Sequence, residues 1–520
     1  MSLILLSAVV RMFQGLVAAA PTLLVGLFIA AVLRYYIGPA DTRRIFGGQS
    51  LRSLPQSWLI GMLLPVCSIG VLPILRELYR ARVRPGAMTA FALSAPLFNP
   101  LSLLYGLTLS RPIVIISFAA ASLVLVTLLG TIWDRYAGDS ETRTEEELAA
   151  ADKESTGEDG PAPEIIGLRR ILALFVFSTR ELVGPIGLLT IIALTGLGLL
   201  GAVLPFSALQ SSFEMNDPWA PARMTLLAIP VYATPMLAMG QLGMMFVHSN
   251  SPGSALALLL LGTGLNFATL FWFVSRYGLK ATSVWFASLI AIVLACAYAI
   301  DRPLILPGAE PAGHTHAFDV YATPFATASG LTFDTIRDTA FRPLEIFEWA
   351  GFAGLAIFAF FGAIFRFAKV DEQRFSSDKP TELASYDMFV SKSVIGCTML
   401  VGLVAVSVVG CFAYYPPPKV CLDEISVARG EAYSAARSGS VDYALHWIEQ
   451  IEDWSRKLEV GVFIRTGEVR PYQRMQGNLI RKKLELLEHE LEHDPYEQHE
   501  VDAMLREMLR TDQRWREAFR

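Results

Sequence analysis

Charged side chains and cysteines are both scarce along most of this chain of 520 residues. Only 18% of the residues are Asp, Glu, Lys or Arg, and the first 418 residues hold 55 of them while the last 102 hold 36. The five cysteines form no CxxC pair and no paired spacing, which excludes a disulfide framework and a thiolate zinc site. No basic stripe is interleaved with aromatic residues, so we expect no nucleic-acid partner.

Hydrophobic residues make up 53% of the chain, and they are grouped in long runs. Each run is close to the ~20 residues that cross a bilayer as a helix with every backbone polar group satisfied. We therefore predict an all-α, polytopic protein that is embedded in the lipid bilayer of the cell (inner) membrane. The apolar segments fall at about 13–33, 57–75, 86–110, 111–132, 182–204, 223–247, 253–275, 281–300, 346–365 and 393–414.

Composition shifts divide the chain into membrane and soluble parts. The acidic stretch after the fourth segment includes ESTGEDGPAPE, which cannot bury enough apolar area to fold by itself, so it is predicted to be a flexible linker. The last hundred residues show apolar positions at helical spacing and predict a soluble helical domain. The predicted parts are membrane repeat 1 (1–133), a cytoplasmic linker (134–170), membrane repeat 2 (171–300), an external loop (301–345), two additional transmembrane helices (346–415) and the soluble domain (416–520).

The two sides of the linker share a pattern of proline, glycine and asparagine. In each, a proline is followed five residues later by glycine, a Pro-Gly pair then opens an apolar run, and an asparagine lies fourteen residues after that second proline. Four matches in the same order favour an internal duplication. The residues are Pro65, Gly70, Pro85-Gly86 and Asn99 in the first half, and Pro235, Gly240, Pro252-Gly253 and Asn266 in the second.

Charge next to the segments predicts their orientation. The loops 34–56 and 76–84 each carry four arginines and flank the segment 57–75, which is short and contains two prolines. Because Lys and Arg collect on the cytoplasmic side, this segment is predicted to re-enter, which makes the second half inverted relative to the first. The alternative is that all ten segments span. In both topologies the loop 301–345 and the C-terminal domain are non-cytoplasmic.

Breaks in matching positions of two halves mark the substrate site of many secondary transporters, because half-helix ends offer unpaired backbone groups. Sulfur from Cys67 and Met239 would suit a soft cation or metalloid, although such residues more often serve only for packing. The alternative for the breaks is ordinary kinks, with the two asparagines joining helices. The predicted substrate-binding residues are Cys67, Ser68, Gly70, Pro96, Asn99, Pro100, Pro235, Met239, Gly240 and Asn266.

Other candidate chemistry is sparse. The segments 86–110 and 224–275 contain no Asp, Glu, Lys or Arg, so the sequence indicates no intramembrane carboxylate for coupling. In the external loop, His314, His316 and Asp319 would form a metal site if a fourth ligand joined them, and the alternative is that they are simply solvated. No cofactor is expected.

The stretch 64–107 and its echo at 235–274 resemble the ArsP-like family of predicted permeases, some members of which export organoarsenicals. The resemblance rests on Pro65-Val66-Cys67-Ser68-Ile69-Gly70, on Pro73-Ile74, on Pro85-Gly86 and on Ala95-Pro96-Leu97-Phe98-Asn99-Pro100. It covers the segments up to about residue 300. One departure is that Ile69 stands where the family pattern has a second cysteine, so the resemblance implies a permease and leaves its cargo open.

Together these features predict a permease, not an enzyme. It would move a small solute or a thiophilic ion or metalloid, as an efflux system, by alternating access between the two repeats. The alternative is a membrane-anchored sensor or assembly factor that binds a protein partner, or another copy of itself, through residues 419–520.

Overall fold

The structure, a computed structural model, is helical throughout the part of the chain that it describes, with no β-strand there. The all-α prediction is therefore confirmed. The chain forms two compact units, Met1–Leu103 with Ile113–Ala405 and Leu104–Pro112 with Val406–Arg520. The described residues are 3–48, 52–109, 112–151, 165, 167–205, 208–209, 212–247, 249–305, 315, 317–325, 332–341, 346–375, 390–492 and 497–520.

Six long apolar helical stretches of the described chain can cross a membrane, so the prediction of a multi-pass membrane protein is confirmed. The stretches are Leu3–Ile45, Pro112–Ala137, Arg169–Val203, Phe267–Leu304, Ile346–Phe367 and Lys392–Tyr414. The first contains α1 (Leu3–Val32), a π-helical turn (Leu33–Ile37) and α2 (Gly38–Ile45). The third contains α8 (Arg169–Glu181), a π-helical turn (Leu182–Ile186) and α9 (Gly187–Val203).

Four of the ten predicted segments are broken helices. Residues 57–75 form α3 (Ser53–Leu63) and α4 (Val71–Arg80), and residues 86–110 form α5 (Pro85–Ser94) and α6 (Pro100–Leu109). We call the residues between them break 1 (64–70) and break 2 (95–99). Prolines and glycines at these points remove backbone hydrogen bonds that would continue a helix.

The same order of elements recurs in the second half. There, α10 (Ala220–Ala228) and α11 (Pro235–Val247) flank break 3 (229–234). Helix α12 (Pro252–Ala257), extended by the π-helical turn Leu258–Thr263, is followed by break 4 (264–266) and α13 (Phe267–Leu304). Within α13, Gly278 has φ +81° and separates two helical pieces.

The pair α3 and α4 forms a helical hairpin whose two open ends lie beside the end of the first long helix. At its start, Gln56 Nε2 donates to the carbonyl of Ile45 at 2.7 Å, and near its end Glu77 lies 3.7 Å from Arg34. The pair α10 and α11 is also a hairpin, since the Ser251 N–H that follows it donates at 3.0 Å to Phe213, which precedes it.

Four further helices precede or follow the second half in the chain. Helix α7 (Pro112–Ala151) precedes the second half, and α14 (Phe333–Phe341), α15 (Ile346–Phe367) and α16 (Lys392–Tyr414) follow it. Helix α15 packs closely on α1, where an added Cβ at Gly351 would lie 2.4 Å from Pro21. Residues 317–325, which we call the strap, are largely buried and bind Arg11 and Gln241 through backbone carbonyls.

The linker differs from its prediction at its start. Helix α7 continues to Ala151, because the run Glu145-Glu146-Glu147-Leu148 with three alanines consists of strong helix formers. The rest of the predicted linker up to Glu164 lies outside the described residues.

The C-terminal unit contains α17 (Pro418–Ser438), α18 (Val441–Thr466), α19 (Pro471–Glu492) and α20 (Gln498–Phe519). They share one apolar core that includes Leu484, Leu487 and Trp515. Inside it, Arg481 pairs with Glu459 at 2.7 Å, both almost fully buried. Burial raises the pKa of the Asp512 carboxyl, although Arg429 and Arg516 act against that change.

Candidate functional site

Break 1 brings Cys67 and Ser68 to the start of α4. Cys67 is fully buried, its Sγ accepts the Gly70 N–H at 3.4 Å, and its carbonyl accepts the Val71 N–H at 2.9 Å. Ser68 is 1% exposed, and its hydroxyl has no hydrogen-bond partner among the described residues. The break lies directly on α1, since an added Cβ at Gly26 would be 2.0 Å from the Gly70 carbonyl oxygen.

Break 3 lies against α9 in a similar way. An added Cβ at Gly196 would be 2.3 Å from the Pro230 carbonyl oxygen. Tyr232 in this break is 2% exposed and interacts electrostatically with Cys67. Breaks 1 and 3 therefore face each other through a thiol and a phenol.

The two asparagines cap the half-helices that follow breaks 2 and 4. Asn99 Oδ1 accepts the Ser102 N–H at 2.7 Å, and the Asn99 N–H donates to Ser102 Oγ at 3.0 Å. Asn266 Oδ1 accepts from the N–H and the hydroxyl of Thr269, at 2.8 and 3.2 Å. These are N-cap contacts, so the asparagine carbonyls stabilise helix starts and do not join separate helices.

Asn266 nevertheless keeps an unused donor. Its side chain is 1% exposed, and its Nδ2 has no hydrogen-bond partner among the residues described. A buried amide without a partner is costly, typically by about 1–3 kcal/mol, and is uncommon in native proteins. Such a group is a candidate to bind a ligand.

Further contacts connect the four breaks into one region. The Ala233 N–H of break 3 donates at 2.9 Å to the Gly262 carbonyl, just before break 4. In break 4, an added Cβ at Gly264 would lie 3.3 Å from the carbonyl oxygen of Leu93, just before break 2. With the contact between Cys67 and Tyr232, these neighbours link breaks 1, 3, 4 and 2 in succession.

The electrostatic character of this region comes from the backbone. Each break is followed by a helix N-terminus, which carries partial positive charge. The four breaks themselves contain no Asp, Glu, Lys or Arg. The region thus offers hydroxyl and amide donors, one thiol and helix N-termini, a set that suits a neutral or anionic ligand with hydrogen-bond acceptors.

The other predicted site residues lie partly in the breaks and partly in the helices next to them. Pro96 is buried in break 2, and Pro100 begins α6. Pro235 begins α11, and Met239 and Gly240 lie inside that helix, so the structure places the break before Pro235 and not between Pro235 and Gly240. The physical reason is that proline, with its fixed φ and missing N–H, is well suited to the first turn of a helix.

Tyr232 was missed by the sequence analysis, and so were two aspartates. Asp134 Oδ1 accepts the Gly86 N–H at 2.8 Å, and Asp301 Oδ1 accepts the Gly253 N–H at 2.9 Å, across 48 residues in both cases. Each carboxylate thus binds the start of the helix that the Pro-Gly pair opens. Both signals are present in the sequence. The spacing of 48 residues is the same in the two halves, and Pro65-Val66-Cys67 has the same first two residues as Pro230-Val231-Tyr232, which makes Tyr232 the counterpart of Cys67.

The proposed metal ligands do not form a described site. His314 and His316 lie outside the described residues. The Asp319 carbonyl accepts from Arg11 at 2.7 Å, and its carboxylate interacts electrostatically with the same guanidinium. In the described ranges, no three His, Cys, Asp or Glu side chains are grouped so that they could hold a metal ion.

Comparison with known proteins gives one family and one curated relative. Residues 6–302 match the model of the ArsP_1 family, which is described as predicted permeases. The UPF0718 protein YcgR of Bacillus subtilis (strain 168) is 31% identical over 88 residues, which are 17% of this chain and 30% of that relative. The match therefore spans less than a third of the relative's length. No solved structure matches.

Proposed function

The chain belongs to the ArsP-like family of predicted permeases, and from that premise we propose that its four breaks form the cargo site of an efflux permease. The family supports a membrane transporter rather than an enzyme, and it confirms the resemblance drawn from residues 64–107. The proposed cargo is a small solute or a thiophilic ion or metalloid. The proposed mechanism is alternating access between the two halves.

The observation that carries this proposal is the meeting of the four breaks. Irregular backbone at membrane depth is tolerated where it is buried in protein or lines a cavity. Here the irregular segments lie together and leave the Ser68 hydroxyl and the Asn266 amide nitrogen without partners among the described residues. A bound solute would supply the missing acceptors and donors at the centre of the unit.

Matched contacts support an inverted relation between the halves. The carbonyl oxygens of break 1 and break 3 lie against Gly26 and Gly196, respectively. Asp134 and Asp301 accept hydrogen bonds from the N–H groups of Gly86 and Gly253, across the same number of residues. Asp134 pairs with Arg84 in the arginine-rich loop, whereas Asp301 pairs with Ser251 next to the uncharged turn. The two carboxylates, which lie in α7 and α13, are therefore bonded to loops of different charge, as inversion requires.

The distribution of arginines also predicts, in our proposal, which end of the protein faces the cytoplasm. The arginine-rich loops face the cytoplasm of a cell with an inner membrane, and the strap and the C-terminal domain face away from it.

The cargo follows from the chemistry of the breaks. A single thiol at Cys67, with Ile69 nearby and a buried Met239, does not make the multi-thiolate site that trivalent arsenic prefers. We therefore propose a cargo that uses one soft contact together with hydrogen bonds to Ser68, Tyr232 and Asn266.

Purified protein in proteoliposomes tests the transport function. The probes are a trivalent organoarsenical, arsenite and a neutral solute of similar size, and a strain that lacks the gene is compared with its parent for sensitivity to the same compounds. We expect protein-dependent flux of at least one probe and increased sensitivity of the strain. Absence of flux for every probe, with unchanged sensitivity, would overturn the proposal.

The second candidate function, a membrane-anchored sensor or assembly factor, is favoured by the separate apolar core of the C-terminal domain. Exposed Tyr443 and Leu486 on its surface would suit a protein partner or a second copy. Deletion of residues 419–520 separates the two functions. A permease should keep much of its flux, whereas a scaffold should lose all activity in the strain.

A further inference from the structure

Six charged side chains gather at one end of the membrane unit, and we call them the ionic cluster. Arg34 lies 2.7 Å from Glu372 and 3.7 Å from Glu77, and Arg80 lies 3.9 Å from Glu181. Arg76 also pairs with Glu181, and Arg80 with Glu77. None of the six side chains is more than 20% exposed. Three cations and three anions are thus buried together.

The ionic cluster joins the two halves. Arg76 and Arg80 belong to α4 in the first half, whereas Glu181 ends α8 in the second half. Arg34 lies at the end of the first long helix, and Glu372 follows α15. Any motion that moves the first half away from the second at this end must separate Arg76 from Glu181.

The ionic cluster also lies between this end of the unit and break 1. Helix α4 begins at Val71, directly after the break, and rises ~9 Å over the six residues to Glu77. The other arm of the hairpin, α3, starts at the same end. A solute that reaches Cys67 from this end must pass the two arms of the hairpin and the ion pairs that hold α4 to α8.

Buried ion pairs are well suited to a contact that alternates between a closed and an open arrangement. Separating two buried charges is strongly unfavourable while they stay dry, and the cost falls when water enters and solvates them. The closed and the hydrated open positions are thus both accessible, but positions between them are not. An exposed pair such as Arg223 and Asp217, of which Arg223 is 54% exposed, offers no such difference.

We propose that the ionic cluster is the gate that closes the path from the arginine-rich end to the breaks. This inference rests on the proposed permease function. The gate is closed in this structure, and opening it means breaking the contacts of Arg76 and Arg80 with Glu181. At the opposite end, the unit is closed by the strap, which binds mainly through backbone carbonyls.

The native cysteine of break 1 reports on the gate. In a variant that keeps Cys67 as its single cysteine, a membrane-impermeant maleimide is added to sealed vesicles of each orientation, and the labelling rate of Cys67 is measured. Arg76→Glu should raise the rate from the arginine-rich side about tenfold or more, because like charges now face each other across the gate. The rate from the other side should not rise.

Charge exchange makes the test specific. Arg76→Glu combined with Glu181→Arg restores opposite charges between these two positions, although Arg80 then meets a like charge, and should bring the labelling rate most of the way back to that of the parent. Glu181→Gln, a milder change, should raise the rate by a smaller factor and serves if Arg76→Glu does not insert. The matched control is Asp217→Asn in the exposed pair with Arg223, which should leave the rate unchanged.

The outcomes separate this inference from the function on which it rests. Increased labelling with rescue by charge exchange supports the gate, and it does so even if no probe is transported. An unchanged labelling rate in both Arg76→Glu and Glu181→Gln, with normal amounts of folded protein in the membrane, overturns the gate whether or not flux is observed. Increased labelling without rescue also overturns it, since it would indicate general loosening.

Discussion

The two halves of the membrane unit hold their broken helices with the same contacts and surround them with different side chains. In the first half, the Gly86 N–H donates to Asp134, which also lies 2.9 Å from Arg84. In the second half, the Gly253 N–H donates to Asp301, which also accepts from the Ser251 hydroxyl at 2.6 Å. The carboxylate is common to both, but one is paired with a cation and the other with a hydroxyl.

The breaks differ in the same manner. Break 1 presents a thiol at Cys67 and break 3 a phenol at Tyr232, although both lie on a glycine of a neighbouring long helix. Contacts through backbone atoms are thus alike in the two halves, while the side chains that face the centre differ. Under the proposed function, we expect the backbone contacts to position the site and the differing side chains to select the cargo.

The largest effect is expected at Gly26 and Gly196, because each half packs a break so closely on one of these glycines that a side chain would not fit. Gly26→Ala and Gly196→Ala should each place a methyl group on a carbonyl oxygen, at 2.0 and 2.3 Å in the present geometry. Overpacking of this kind costs about 1–3 kcal/mol or more. We expect a lower melting temperature in detergent and loss of flux in both variants.

Gly402→Ala in α16 is the matched control, because an added Cβ there has no neighbour within 4 Å. It should leave stability and flux as they are. If Gly26→Ala and Gly196→Ala behaved like this control, the close approach of the breaks to α1 and α9 would be refuted.

A smaller effect is expected from the two aspartates. Asp134→Ala and Asp301→Ala each remove the acceptor of a helix-start N–H, which typically costs about 0.5–2 kcal/mol. Asp301→Asn keeps an acceptor oxygen and loses no cationic partner, so it should remain close to the parent in flux and melting temperature. Asp134→Asn leaves Arg84 without its carboxylate and should be slightly less stable than Asp301→Asn.

Equal behaviour of Asp301→Asn and Asp301→Ala would contradict this account of the carboxylates. It would mean that the charge of Asp301, and not its capping oxygen, is what the protein needs. Thermal unfolding and initial flux rates of the four variants, measured side by side, give the answer.

The smallest effect on stability, and the most selective on transport, is expected at the centre. Tyr232→Phe removes only a buried hydroxyl that faces the Cys67 thiol and keeps the ring, so the melting temperature should change little. Cys67→Ser should reduce flux of the trivalent organoarsenical more than flux of the neutral solute, because only the former uses the thiol. If both substitutions left both fluxes unchanged, this pair of residues would have no part in cargo selection.

Much of the fold was readable in the sequence because backbone-breaking residues act locally. Pro65 and Gly70 interrupt an apolar segment between the end of α3 and the start of α4, and the Pro-Gly pairs are the first residues of α5 and α12. The same local rule misplaced break 3, since Pro235 starts a helix and the chain is irregular before it. A proline marks a boundary but does not say on which side the helix lies.

The site was harder to predict, because it depends on contacts between distant residues. Asn99 and Asn266 were identified by their spacing, but their capping role depends on Ser102 and Thr269 three residues later. The acidic members of the ionic cluster, Glu77, Glu181 and Glu372, come from three separated helical segments. No local sequence pattern indicates that these glutamates lie next to Arg34 and Arg76 in the folded protein.

Flux through a variant that keeps both helix caps tests the central claim most directly. Asn99→Ser combined with Asn266→Ser retains a capping oxygen at each helix start but removes both amide donors. We predict normal insertion and a flux reduced by about tenfold or more, the loss of one or two buried hydrogen bonds to the cargo. Asn478→Ser in the C-terminal unit should have no effect. Undiminished flux of every transported probe in the double variant would contradict a cargo site at the breaks.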